Sequence, residues 1–159
     1  MSTRTGLGFD THRLVLGRPL ILGGVTVPYE LGLEGHSDAD ALAHAITDAL
    51  LGAAALGDIG KHFPDSDPRW RGADSLVILA SSTRLVKAAG FAVVNVDATV
   101  ICEQPMLGGF RERMTECIAA AISCPEGDVN IKFTRGEGMG YVGRGEGIAV
   151  MAIATVQSA

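Results

Sequence analysis

The chain has 159 residues, within the span of about 100–200 residues that one domain occupies, so a single domain over 1–159 is expected. Its formal net charge of −5 argues against general nucleic-acid or anionic-membrane binding. Hydrophobic residues make up 47% before the 21 glycines are counted and charged residues only 19%, against roughly a quarter in ordinary domains, which points to an extensive subunit interface.

No apolar run reaches the roughly 18 residues of a membrane span, and Met1–Gly6 lacks the apolar core of a secretory signal, so a cytoplasmic protein is expected. Cys102, Cys117 and Cys124 are an odd set without CxxC spacing, which predicts reduced, mostly buried thiols rather than a disulfide framework.

In chain order, Leu7–Phe9 reads as the end of a short first strand leading into Asp10-Thr11-His12. Pro19–Val27, broken by Gly23-Gly24, reads as a bulged strand or hairpin. Leu42, Ala45, Ile46, Ala49 and Leu50 follow helical spacing, predicting an amphipathic helix over Ala41–Leu51 with Ser37 or Asp38 as N-cap. Asp58–Pro68 is a polar loop. Ala73–Gly90 is a second helix with Leu76, Leu79, Ala80, Thr83 and Val86 on one face. Phe91–Glu103 alternates as a strand, with Val94, Val96, Ala98 and Val100 on one side. Phe110–Ser123 is a third helix, and Val129–Thr134 and Ile148–Val156 are two more strands. This order predicts an α/β (α+β sandwich) fold, with a mixed β-sheet on one face and helices on the other. GxGxxG and Walker A sequences are absent, and so is a G-x-S-x-G elbow.

Four segments carry candidate chemistry. On an extended chain Asp10 and His12 point to one side, so a carboxylate and an imidazole converge as for a borderline divalent ion; the same residues would also fit a capped turn. His44 has Asp40 and Asp48 one turn away on either side, the pattern of a ligand whose second nitrogen is held by an acid, or of a solvated stripe. His36 and Ser37 precede the helix and would make an anion pocket with its N–H groups, or simply a turn. Asp58, Asp65 and Asp67 could hold a hard cation or accept from sugar hydroxyls. In the glycine-rich segment after Thr134, Glu137 could hold Mg²⁺ against a diphosphate, with Arg135 and Arg144 neutralising phosphate charge.

Together, Gly8-Phe-Asp-Thr-His12, His36-Ser-Asp-Ala-Asp-Ala-Leu-Ala-His44, Leu50-Leu-Gly-Ala-Ala-Ala-Leu-Gly-Asp-Ile-Gly60, Phe63-Pro-Asp-Ser-Asp67 and Gly143-Arg-Gly-Glu-Gly147 closely resemble the 2-C-methyl-D-erythritol 2,4-cyclodiphosphate synthase family, over residues 5 to 157. The resemblance implies cyclisation of 4-diphosphocytidyl-2-C-methyl-D-erythritol 2-phosphate with release of CMP, in a homotrimer whose sites lie between subunits. It implies zinc, or another divalent transition metal, at Asp10, His12 and His44, and Mg²⁺ or Mn²⁺ at Glu137. His36 and Ser37 match phosphate contacts, and Asp10, Thr11 and His12 are counted with them as substrate-binding. Asp58, Ile59 and Gly60, with Phe63, Pro64, Asp65, Ser66 and Asp67, match the loop holding the methylerythritol. Cys102, Glu103, Gln104, Pro105, Met106, Leu107 and Gly108 match the cytidine pocket. Phe9, Tyr141, Arg144 and Glu146 match residues near the trimer axis, where some relatives hold an isoprenoid diphosphate. Two departures stand out: Met106 follows Pro105 where a lysine is usual, and Thr134-Arg135-Gly136 replaces a threonine run, placing Arg135 where a hydroxyl would stabilise the transition state; by the resemblance His36 and Arg135 are the catalytic candidates. On such a scaffold the alternatives to cyclisation are a metal-dependent phosphohydrolase and a non-catalytic isoprenoid-diphosphate-binding trimer.

Overall fold

The computed structural model describes residues 1–159. Its frame is strand β1, Thr3–Leu16, far longer than the Leu7–Phe9 fragment legible in sequence, because Gly6, Gly8 and the polar Asp10 and His12 interrupt the apolar alternation. β1 pairs antiparallel with the last strand, β7 (Gly147–Ser158), from Thr3 opposite Gln157 to Arg13 opposite Gly147. Its far end also pairs with β4 (Leu31–Leu33). With β5 (Phe91–Ile101) and β6 (Val129–Thr134) these strands form one mixed sheet in the order β4-β1-β7-β5-β6, in which only the β5–β6 pair is parallel. β2 (Leu20–Leu22) and β3 (Val25–Val27) form a separate hairpin turning at Gly23-Gly24.

Helices α1 (Ala41–Ala53), α3 (Ser75–Ala88) and α4 (Arg111–Ile122) cover one face of the sheet; α2 (Ile59–His62) and α5 (Gly140–Gly143) are single turns in loops. The core lies between the layers, where Val96, Val100, Ile131 and Val150 meet Leu42, Ile46, Leu79, Met114 and Ile118. Two expectations need correction. Val94 leaves the buried row because a bulge between Val93 and Asn95 shifts the strand's parity, so Val93 packs on the core instead. The N-cap of α1 is Asp40, not Ser37 or Asp38.

Asp40 is fully buried and does more than cap. One carboxylate oxygen accepts from Ala43 N at 3.0 Å and Gly23 N at 2.9 Å; the other accepts from Gly24 N at 2.7 Å. Burial pushes this carboxyl up to about 6, against the pull of the three N–H groups. Ala39 takes a left-handed φ of 58°. This lets the chain turn Asp40 toward the hairpin and Asp38 toward α3.

Helix α1 rests directly on β1. Alternate β1 residues, Gly6, Gly8, Asp10, His12 and Leu14, face the helix. A Cβ at Gly8 would lie 1.8 Å from the Ala45 carbonyl oxygen, and one at Gly6 2.1 Å from that of Ala49. The other face of the sheet is bare in this chain: Leu7 (63% exposed) lies opposite Ile153 (46%), and Phe9 (50%) opposite Met151 (44%). No helix is long and apolar enough to cross a membrane. The cysteines are free, and only Cys102 is buried; Cys117 and Cys124 are half-buried.

Because the atoms blocking a Cβ at Gly8 are helix backbone, no rotamer change makes room. Gly8→Ala is expected to push α1 outward and cost about 3 kcal/mol, read as a lowered urea midpoint at unchanged slope.

Candidate metal and phosphate site

The close approach at Gly8 puts the next α1 residue, His44, over Asp10. His44 Nδ1 lies 3.1 Å from Asp10 Oδ2, and His12 Nε2 lies 2.8 Å from the same oxygen. One donor atom from each of Asp10, His12 and His44 falls within 4.8 Å of the others. His12 Nδ1 is 2.7 Å from the Glu34 carbonyl oxygen, which only accepts, so Nδ1 carries the proton and neutral His12 presents a lone pair at Nε2. A carboxylate and imidazole nitrogens crowded on one point need a positive centre between them. This is the donor set of a three-ligand divalent site with an open position, so the residues fit such an ion. Burial pulls the His12 pKa down, but the hydrogen bond and charge of Asp10 outweigh it and hold it above the ordinary value. Burial raises Asp10, and its two histidine partners bring it net below the carboxylate range.

The acids flanking His44 do not hold it. Asp40 is committed to the hairpin, and Asp48 accepts the Ile59 N–H at 2.8 Å. His44 Nε2 instead meets the Ser75 hydroxyl at 2.8 Å, with Ser37 Oγ at 3.2 Å. Ser75 and Asp48 carried no motif signal; only an i+4 count from His44 pointed at Asp48, and to a different role.

Asp48 anchors the loop that walls the site. Asp58 caps α2 through Lys61 N at 2.9 Å, and Phe63 meets Trp70 edge-on at 5.0 Å. A cavity of about 360 Å³ results, holding the triad together with His36, Ser37, Ile59, Gly60, Phe63, Pro64 and Asp65, and with Trp70 and Ile78, which the sequence did not single out. Asp58 is spent as a cap and is not part of this lining; neither are Ser66 and Asp67, the latter clamping the Arg69 guanidinium at 2.6 Å. His36 lies on the loop before the helix, not at its N-terminus, which Asp40 closes; its Nε2 is buried without a partner in the chain. Thr11 points to the opposite face of β1 and lies 2.9 Å from the Tyr141 hydroxyl.

The second group of candidates gathers at the far edge of the sheet. Cys102, Pro105, Met106, Leu107, Gly108, Thr134 and Arg135 line a cavity of about 240 Å³, joined by Arg111 and Phe133, which sequence reasoning missed. Burial, with the charge of Glu103, pushes the Cys102 thiol up to about 11, so it stays protonated. Glu103 does not line this cavity: it pairs with Arg135 at 2.9 Å and accepts the Gly136 N–H at 2.8 Å, tying the end of β5 to the glycine-rich loop. Glu137 sits on that loop, exposed, with φ 55°. β7 and β5 stand between β6 and β1, and neither Glu137 nor any cytidine-matched residue lines the cavity of the triad. Arg144 is paired with Glu146 at 3.0 Å on the surface.

A family model described as the YgbB family matches residues 3–157. The 2-C-methyl-D-erythritol 2,4-cyclodiphosphate synthase of Laribacter hongkongensis is 56% identical over 158 residues, covering 99% of this chain and 98% of its own. The protein of that name from Solibacter usitatus is 56% identical over 154 residues, covering 97% of each. Among solved structures, a 2C-methyl-D-erythritol-2,4-cyclodiphosphate synthase in a CDP-bound form matches with TM-score 0.89 and 38% identity, over 97% of this chain and all of that one. A bifunctional IspDF protein from Campylobacter jejuni matches with TM-score 0.96 and 40% identity, over 99% of this chain but 43% of that one. By the near-complete family match and these relatives, the chain belongs to the YgbB family, that of the 2-C-methyl-D-erythritol 2,4-cyclodiphosphate synthases.

Proposed function

We propose that this chain, acting as one catalytic domain over 1–159 in the cytoplasm, converts 4-diphosphocytidyl-2-C-methyl-D-erythritol 2-phosphate to 2-C-methyl-D-erythritol 2,4-cyclodiphosphate and CMP, a step of the non-mevalonate isoprenoid pathway. The observation that carries this is the convergence of Asp10, His12 and His44 beside the Ile59–Asp65 wall, in a chain 56% identical to synthases of that name along nearly its whole length.

An oxygen of the 2-phosphate forms a bond to the β-phosphorus. The bond from that phosphorus to the bridging oxygen breaks, and the oxygen leaves with the α-phosphate as CMP. No protein nucleophile is required, so catalysis rests on bringing anions together and neutralising their charge. Asp10, His12 and His44 would hold zinc or a similar transition ion. When bound there, the ion supplies Lewis-acid polarisation of a phosphate oxygen. His36, with its unpartnered Nε2, and Ser37 offer hydrogen bonds to phosphate, and Asp65 accepts from a sugar hydroxyl. Leu107, Gly108 and their neighbours enclose cytosine, and Arg111 and Arg135 place positive charge at the nucleotide side. Glu137 would offer a carboxylate oxygen to an Mg²⁺ or Mn²⁺ ion, whose charge would offset that of the phosphates.

Two features support a homotrimer. The triad cavity and the cytidine-matched cavity share no lining residue, and the apolar row Leu7, Phe9, Met151 and Ile153 is uncovered. Packing that row around an axis would bring one subunit's triad toward its neighbour's nucleotide cavity, and would place Tyr141 and Arg144 where an isoprenoid diphosphate could bind at the centre. Phe9→Asp combined with Met151→Asp is expected to shift the mass measured by light scattering from trimer to monomer and to abolish turnover; a fully active monomer would contradict the assembly.

Phosphorus NMR and mass spectrometry of the reaction products test the activity itself. Equal yields of CMP and cyclic diphosphate are expected with Zn²⁺ and Mg²⁺ present, and His44→Ala should lose bound zinc and at least about 1,000-fold in rate, several kcal/mol of barrier. CMP accompanied by an uncyclised bisphosphate would mean hydrolysis instead.

A further inference from the structure

His44 makes a contact that metal ligation alone does not explain. Ser75, the first residue of α3, is fully buried, and its Oγ lies 2.8 Å from His44 Nε2. The same Oγ is in short contact with Asp38 Oδ1, while Asp38 Oδ2 accepts the Ser75 backbone N–H at 3.1 Å. A carboxylate accepts only, so the single Ser75 hydroxyl proton goes to Asp38. What Ser75 offers His44 is a lone pair, and Nε2 must therefore carry the ring proton. Nδ1 is left unprotonated, facing Asp10. Ser37 Oγ, which accepts the Ala39 N–H, lies at 3.2 Å on the same side of the ring and is compatible with that proton.

We infer that Ser75 and Asp38 are positioning residues for the metal: through an Asp38–Ser75–His44 chain they fix the tautomer and orientation in which His44 offers Nδ1. The inference rests on the metal reading given above. It ties the start of α3 and the loop before α1 to ion affinity, since Asp38 also accepts the Asp40 N–H at 3.1 Å. Partners of this kind behind a metal-bound histidine typically change affinity about 10–100-fold when removed.

The test uses Co²⁺ titration, followed by visible absorption, together with ¹⁵N NMR of the histidine rings in metal-free protein. The wild type is expected to show His44 as the Nε2–H tautomer with a slowly exchanging ring proton. Ser75→Ala is expected to bind Co²⁺ about 10–100-fold more weakly and to show mixed His44 tautomers. Equal Co²⁺ affinity in the two proteins, with an unchanged tautomer in Ser75→Ala, would overturn the positioning role even if the variant were less stable. Absence of Co²⁺ binding in the wild type would overturn the metal reading itself, and the inference with it. If Ser75→Ala does not fold, the wild-type spectrum decides, because an Nδ1–H tautomer at His44 would contradict the chain of hydrogen bonds.

Discussion

The site depends on a backbone contact made by the absence of side chains. Gly6 and Gly8 let α1 rest on β1 so closely that the carbonyls of Ala45 and Ala49 occupy the space a Cβ would need. An ordinary helix–sheet packing distance would lift His44 away from Asp10. The small residues Ala45 and Ala49 on the helix and the glycines on the strand are thus as much a part of the donor cluster as the donors themselves. The same strand fixes the opposite face by parity: with Gly8, Asp10 and His12 turned to the helix, Leu7 and Phe9 point outward against Ile153 and Met151.

Hydrogen bonds then convert proximity into a defined chemical state. Glu34 settles the His12 tautomer, and the Ser75–Asp38 pair settles that of His44. Asp40 clamps the helix start to the Gly23-Gly24 turn, and Asp48 clamps Ile59 in the loop that closes the cavity. Each acid in the His36–Asp48 segment does a separate task, and none is left as a solvated stripe. At the far edge of the sheet Glu103 plays a similar part, binding Arg135 and Gly136 so that the end of β5 and the loop bearing Glu137 keep their relation. Arg135 therefore acts with part of its charge already balanced.

What was legible in the sequence had a short-range cause. The period of α1, the alternation of β5 and the side-by-side placement of Asp10 and His12 on an extended chain all follow from local geometry. The glycines of β1 were harder to read: they weaken a strand pattern, and their purpose appears only against the helix 40 residues later. The cap of α1 was misassigned because Asp38 and Asp40 are chemically equivalent in sequence; the left-handed Ala39 between them sends one to the hairpin and the other to α3. Ser75 and Arg111 carried no motif, and their partners lie on other elements. The Val94 bulge inserts one residue without any turn signal. The long-range part of the site came from resemblance, not from periodicity: no spacing rule places Glu137 with the triad, and it does not line the triad's cavity.

The central claim is that this packing builds a cation site from Asp10, His12 and His44 with both imidazoles pre-set as ligands. Anomalous diffraction from crystals grown with Zn²⁺ tests it most directly. The account predicts one ion per chain, bound by an Asp10 carboxylate oxygen, His12 Nε2 and His44 Nδ1, with a fourth position open to solvent or phosphate. An ion bound elsewhere in the chain, or one held by His44 through Nε2, would contradict it.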